Sequence, residues 1–395
     1  MSTTIGVGFS QIPDPKTATE QACAQLKSIL KIFVTDLIIV FASPEYATQE
    51  VLETIARELR PKRLVGSSTG AIILPDGAAH HGIALVGINS DEMRFGISAL
   101  MDINNLDMNR TGFELAKKAG SDLQMTTRDI FITFSEGIEK DNTQFIRGVR
   151  EMFGGGFPVI GAISSDNFKY KELNQFFQDQ ILQNSTVGVL LGGTFALALG
   201  CKHGFKPLGK PRTVTQVDGH LIRMIDHQPA ADIYKHFLGP QADQLKKMGL
   251  NSPAAMYPLG IYLEEDRQYL LRNPIDILED GSIVCQEGIP RGAEVHLMIS
   301  NKDSCRQSAV AAAEMVKNTL GGKQAKLILV FESLARHKIL GRSVAGEIQA
   351  VREILGPTTP LVGMCAYGEI APFGSLNNIK NIYLHNESIL IVAIA

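Results

Sequence analysis

Short, nearly unbroken apolar runs alternate along the chain with segments in which apolar side chains recur every three or four positions. The clearest runs are Asp36–Ser43 (DLIIVFAS), Asp129–Glu136 (DIFITFSE) and Lys326–Ser333 (KLILVFES). Their β-branched and aromatic content predicts strands, and their continuous apolarity predicts burial on both faces. Each is followed by a polar loop and then a helical stripe: Val51, Leu52, Ile55, Ala56 and Leu59; Phe145, Val149 and Met152; Val344, Ile348, Val351 and Leu355. Such spacing puts the apolar side chains on one face that can lie on a sheet. A second strand ending at glycine follows each stripe, at Leu64–Gly66, Pro158–Gly161 and Pro360–Gly363.

The match extends upstream, where Ile5–Phe9, Arg94–Leu100 and Val295–Ser300 read as strands leading into stripes such as Ala18, Ala22, Leu26, Ile29 and Phe33. Phe9 precedes Phe41 by 32 residues, Ala99 precedes Phe134 by 35, and Ile299 precedes Phe331 by 32. The expected fold class is therefore α/β, with repeated β-α-β-α-β units forming mixed sheets flanked by helices. Return strands are expected at Ile83–Ile88, Val187–Leu191 and Ile389–Ile394. Two modules with internal pseudo-repeats are expected: residues 1–200, with units at about 1–91 and 92–200, and residues 201–395. The second would hold a divergent unit at about 201–292 and a regular one at about 293–395.

Composition narrows the partners. With 395 residues, 45% hydrophobic and 20% charged, the chain is long enough for more than one core and has the balance of a globular protein. A formal net charge of -3 with dispersed Lys and Arg argues against nucleic acid. Five scattered cysteines without a C-x-x-C pair argue against a disulfide framework and for a reducing compartment. The amino terminus reads as a strand rather than a secretion signal, and the longest apolar run, Val187–Gly200, is short of the ~20 residues that span a bilayer. A cytoplasmic location without a membrane span is expected.

Several short segments carry a family resemblance. The amino-terminal half resembles the FIST N module through Val7–Ser10, Val40–Ser43 and Val65–Gly70. The other half resembles FIST C through Gln228–Tyr234, Leu238–Gly239, Pro258–Ile261, Leu271–Pro274, Gly363–Pro372 and Asn386. Where that family often has an Arg-Gly pair, this chain has Ala335, Arg336 and His337. The resemblance implies a small-ligand sensor that signals through a separate protein such as a histidine kinase or a cyclic-di-GMP pathway. It further suggests the NosP group, which binds haem and responds to nitric oxide.

Ligands of open α/β sheets collect beyond the carboxyl ends of strands. Three such loops stand out, 67–70, 162–166 and 364–369, and offer Ser67, Ser68, Thr69, Ser164, Ser165, Tyr367 and Glu369 as ligand-binding candidates. Arg336 is expected either to grip a ligand carboxylate in a forked contact or to pair with Glu369. A b-type haem would need an axial donor, for which His337 is the first candidate and His236 and His203 the alternatives. An amino-acid-like ligand without haem is the competing expectation. Gly66–Gly70 also fits G-x-S-x-G, which would make Ser68 a hydrolase nucleophile. The elbow must open a helix, however, and Ala71–Pro75 does not read as one, so the expectation is a binding protein rather than an enzyme.

Overall fold

The computed structural model describes residues 3–31, 34–137, 140–239, 256–374, 376 and 379–395. Phe33, the last position of the first expected stripe, lies outside the described residues, as do the side chains of His236 and Leu238.

Three units share one topology. The first runs β1 (Thr3–Ser10), α1 (Pro15–Leu30), β2 (Leu37–Ala42), α2 (Gln49–Leu59), β3 (Leu64–Ser68), a hairpin of β4 (Ile72–Leu74) and β5 (Gly77–Ala79), and β6 (Ile83–Ser90). The second repeats this as β7 (Met93–Met101), α3 (Met108–Leu123), β8 (Ile130–Ser135), α4 (Asn142–Phe153), β9 (Val159–Ile163), the hairpin β10 (Gln175–Phe177) and β11 (Gln180–Leu182), and β12 (Ser185–Gly193). In each, the return strand lies antiparallel between the first and central strands, while the central strand pairs in parallel with the next. Asp14, Asp107 and Asp141 cap helices α1, α3 and α4 by accepting from the N–H three residues on.

The third unit opens with β13 (Leu197–Lys202) and is then interrupted by an insertion. Within the insertion lie β14 (Lys206–Asp218), β15 (Leu221–Ile225), β16 (Gln228–Pro229), α5 (Asp232–Leu238), β17 (Leu259–Leu263), β18 (Gln268–Arg272), β19 (Pro274–Ile277), β20 (Ile283–Cys285) and β21 (Glu294–Ile299). The unit resumes with α6 (Lys302–Leu320), β22 (Leu327–Ser333), α7 (Arg336–Leu340), α8 (Val344–Leu355), β23 (Leu361–Ala366), the hairpin β24 (Gly368–Ala371) and β25 (Tyr383–His385), and β26 (Ile389–Ile394). The segment expected as a divergent β-α-β-α-β unit is thus an antiparallel sheet with its own core around Val214, Ile222, Leu259 and Ile283. The strand read at Val295–Ser300 closes this inserted sheet against β14, and β13 fills the first-strand place of the third unit.

Each unit lends its hairpin to another. β10 and β11 extend the first sheet beyond β3, β24 and β25 extend the second beyond β9, and β4 and β5 extend the third beyond β23. The exchange closes a ring. At its centre Phe41, Phe134 and Phe331, one from each central strand, meet edge to face at centroid distances of 5.7, 6.2 and 6.0 Å. Alternation along the strands explains the arrangement. Leu37, Ile39 and Phe41 face this shared core while Ile38, Val40 and Ala42 face the helices.

Candidate functional site

The three strands expected to end at glycine do converge, but each runs two or three residues past it. Gly66, Gly161 and Gly363 stand in register with Val40, Thr133 and Val330 of the neighbouring parallel strand. A Cβ on any of them would come within 2.2, 2.3 and 1.8 Å of the carbonyl oxygens of those residues. The following loops then touch one another. Ser67 Oγ is 2.7 Å from Ser164 Oγ, which accepts from Gln175 Nε2 at 2.8 Å, and Gln175 Oε1 accepts from Ser185 Oγ at 2.5 Å. Thr69 Oγ1 lies 2.8 Å from the Cys365 carbonyl, to which Ser165 Oγ also donates, and Ser165 Oγ accepts from Gly70 N at 2.9 Å. Ser68 Oγ accepts from Asn174 N at 2.9 Å, and the chain leaves Ser68 for another strand rather than a helix. All five hydroxyl candidates are buried and bonded to protein.

Arg336 departs from both of its expected roles. Its guanidinium has no solvent exposure and donates to Glu332 (3.3 Å), to Glu347, and to the carbonyls of His203 (2.8 Å), Cys305 (3.3 Å) and Glu387 (3.4 Å). No edge of the fork remains for a ligand carboxylate. Glu369 is not its hydrogen-bond partner. It accepts instead from Ser333 at 2.9 Å and from Ser388, in a setting whose burial pushes its carboxyl well above the usual range.

Tyr367 lies at the edge of a small enclosed space. Its hydroxyl donates to Asp166 at 2.5 Å and its ring stacks on Tyr170 with centroids 4.4 Å apart. Burial opposes the charge of Asp166. The amide of Glu172, the Tyr367 hydroxyl and the amides of Lys171 and Tyr170 outweigh it and hold the carboxyl below its ordinary value. The cavity, of about 20 Å³, is lined by Phe168, Tyr170, Asn273, Gln286, Ala335 and Tyr367 among others. It lies where the inserted sheet meets the body. The seam is tied by Gln286 Nε2 donating to the Tyr367 carbonyl (2.6 Å), Asn386 Nδ2 donating to Gln286 Oε1 (3.0 Å), and Arg272 Nη1 donating to the Leu384 carbonyl (2.9 Å).

Around this seam polar groups are left without hydrogen bonds. Among the described residues neither carboxylate oxygen of the fully buried Glu387 has a hydrogen bond of good geometry, the Asn273 side chain being the hydrogen-bonding group that reaches it, and Asn273 Oδ1, Lys338 Nζ and Arg272 Nε have no hydrogen-bond partner. Lys338 Nζ sits 4.0 Å over the Phe168 ring. Burial pushes the Glu387 carboxyl up to about 8, with Asn273, Arg336 and Lys338 acting in the opposite sense. A buried polar atom without a partner costs about 1–3 kcal/mol, so several in one place mark a site kept for something other than stability. Glu387, Lys338, Phe168 and Tyr170 escaped the sequence reading. The only signal for Glu387 was its place beside Asn386.

Two of the three haem axial candidates have described side chains. Burial, then the charge of Arg336, pushes His203 down to about 4, and its Nδ1 accepts from the Phe205 amide at 2.9 Å. His337 Nε2 lies 3.2 Å from both Glu332 Oε2 and Cys365 Sγ. Two larger surface hollows, of about 820 and 590 Å³, have no histidine, cysteine or tyrosine among their described lining residues, the larger being lined in part by Met93 and Met125. The third candidate, His236, has its side chain outside the described residues.

Fold and seam together describe a mixed α/β body of three units carrying an inserted sheet. The chain belongs to the FIST proteins: the FIST N domain matches residues 36–228 and the FIST C domain residues 230–372. An uncharacterized protein of Mycobacterium bovis is 24% identical over 397 residues, covering 94% of this chain and 95% of its own length. An uncharacterized protein of Mycobacterium tuberculosis is 24% identical over 390 residues, covering 94% and 96%. Among solved structures, a cyanuric acid hydrolase from A. caulinodans aligns over 100% of this chain and 99% of its own with a TM-score of 0.41 and 8% identity, too distant for chemistry to be carried across. Among the described residues no helix is long and apolar enough to cross a membrane.

Proposed function

We propose that this FIST protein is a small-ligand sensor without catalytic activity, whose ligand enters the seam between the inserted sheet and the third unit. The carrying observation is Glu387, fully buried with no hydrogen bond of good geometry among the described residues, in the electrostatic reach of Lys338, whose Nζ has no hydrogen-bond partner among them. One acidic and one basic group, the latter against the Phe168 ring that lines the cavity, suit an amino-acid-like zwitterion whose ammonium meets Glu387 and whose carboxylate meets Lys338. The present cavity of about 20 Å³ has room for about one water. A larger ligand therefore needs the inserted sheet to draw back, and that movement is what a separate signalling protein, such as a histidine kinase, would read.

The test is a thermal-shift panel of free amino acids and related zwitterions, with haem in the same panel. The expected result is stabilisation by one class of zwitterion in the wild-type chain and none in Glu387→Gln. Haem uptake with a Soret band lost in a His337 variant would favour the haem sensor instead. A serine-directed phosphonate adduct at Ser68 would favour the hydrolase.

A further inference from the structure

Glu332, His337 and Cys365 lie outside the ligand seam just described, yet their donor atoms all fall within 4.8 Å of one another. They come from three elements. Glu332 is near the end of the central strand β22, His337 is on the short helix α7, and Cys365 is on the neighbouring parallel strand β23. His337 Nε2 is the shared vertex, 3.2 Å from Glu332 Oε2 and 3.2 Å from Cys365 Sγ. The other carboxylate oxygen, Glu332 Oε1, is held by Arg336 Nε at 3.3 Å, which fixes the orientation of the carboxylate and leaves Oε2 directed to the histidine. Glu332 and Cys365 have no solvent exposure, whereas His337 keeps a side-chain exposure of 10% and so marks the side open to entry.

A nucleophilic thiol relay fits this geometry poorly. In such a relay the carboxylate holds one imidazole nitrogen and the thiol meets the other. Here thiol and carboxylate both address Nε2, and Nδ1 stands 3.8 Å from the sulfur. Two acidic donors converging on one nitrogen is instead the arrangement of ligands around a point between them. Donor atoms of a tetrahedral zinc shell stand roughly 3.5 Å apart for bonds of about 2.0–2.3 Å. The two edges to His337 are slightly shorter than that and the third, between Glu332 and Cys365, is at most 4.8 Å, so closing the shell requires the Cys365 side chain to turn toward Glu332 Oε2.

The surroundings of the Glu332 carboxylate favour its ionised form: burial opposes the charge, but His337 and then Arg336 outweigh it and draw the carboxyl well below the ordinary value. One further imidazole is at hand: the exposed His80 stands edge-on to His337 with ring centroids 6.3 Å apart.

The geometry points to a zinc site formed by Glu332, His337 and Cys365, with the fourth position open on the His80 side. One thiolate, one imidazole and one carboxylate is a borderline-soft set that suits Zn²⁺ better than Mg²⁺ or Ca²⁺. Binding releases the thiol proton of Cys365 to solvent and forms the sulfur–metal bond, with no change of oxidation state. The metal would cross-link β22, α7 and β23, and so fix the helix that also carries Lys338.

The full-length chain, stripped with a chelator, is titrated with Co²⁺ as a spectroscopic probe and then with Zn²⁺. The wild-type chain should take one equivalent of cobalt, show the near-ultraviolet thiolate-to-cobalt band and the intense visible bands of a four-coordinate site, and lose them when zinc displaces the cobalt. Cys365→Ser should remove the thiolate band, and His337→Gln should weaken cobalt binding by roughly 10–100-fold. A wild-type chain with no thiolate band at saturating cobalt overturns the site, with no variant needed. Retention of that band in folded Cys365→Ser, or unchanged affinity in folded His337→Gln, overturns it equally. None of these readings depends on the zwitterion site at Glu387.

Discussion

Glu387 is the residue on which the site turns, and its chemistry gives a pH dependence of definite sign. Burial raises its carboxyl from the ordinary 4.5 to about 8, so between those values the folded chain holds a proton that the unfolded chain has released. Stability from this group is complete below 4.5 and declines as pH rises towards 8. Glu387→Gln removes the titration. Thermal unfolding followed by circular dichroism should therefore show a melting temperature that falls less steeply with pH than in wild type over that window. The variant should gain on the order of 3 kcal/mol at the alkaline end. An ammonium ligand acts on the same equilibrium, because it favours the ionised carboxylate and so binds more tightly as pH rises.

At the scale of elements, much was legible because it rests on local pattern. The apolar runs at Leu37, Ile130 and Leu327 are buried central strands, the stripes after them are helices, and the return strands stand where expected. The glycines expected to end the second strands lie inside them. Gly363 is so close to the Val330 carbonyl that any side chain must part β22 from β23. Gly363→Ala should destabilise the chain by about 2 kcal/mol or more in urea denaturation, whereas alanine at Gly346, with nothing within 4 Å, should have little effect.

Two features of the fold were hidden for a physical reason. Val295–Ser300 is an apolar strand followed by a helix, the same local grammar as a first strand, and only its pairing with β14 assigns it to the insertion. The exchanged hairpins pair with strands far off in sequence, as Ile72 does with Met364, and three-residue strands carry almost no periodic signal. The site shows the same divide. Converging serine loops could be read from strand ends, but not that their hydroxyls are taken up by one another. Arg336 announced a buried charge without naming Glu332 and Glu347 as its partners. Glu387 lies in the short polar stretch between β25 and β26 with a φ of 58°, and no periodic pattern there marks it as buried.

At the scale of the whole molecule, the cyclic exchange makes the three units one body around Phe41, Phe134 and Phe331, and the inserted sheet is the part with its own core. That division suits a sensor. A rigid body can hold Glu387 and Lys338 while the insertion, joined across Gln286, Asn386 and Arg272, opens and closes over them. A ligand shifts that equilibrium only by its difference in affinity for the two positions, so the seam must change on binding. Hydrogen–deuterium exchange with and without a stabilising zwitterion measures this directly. Slowed exchange confined to segments 268–286 and 383–389 is the predicted result. Tight binding that leaves both segments unchanged and protects some other part of the chain would contradict it.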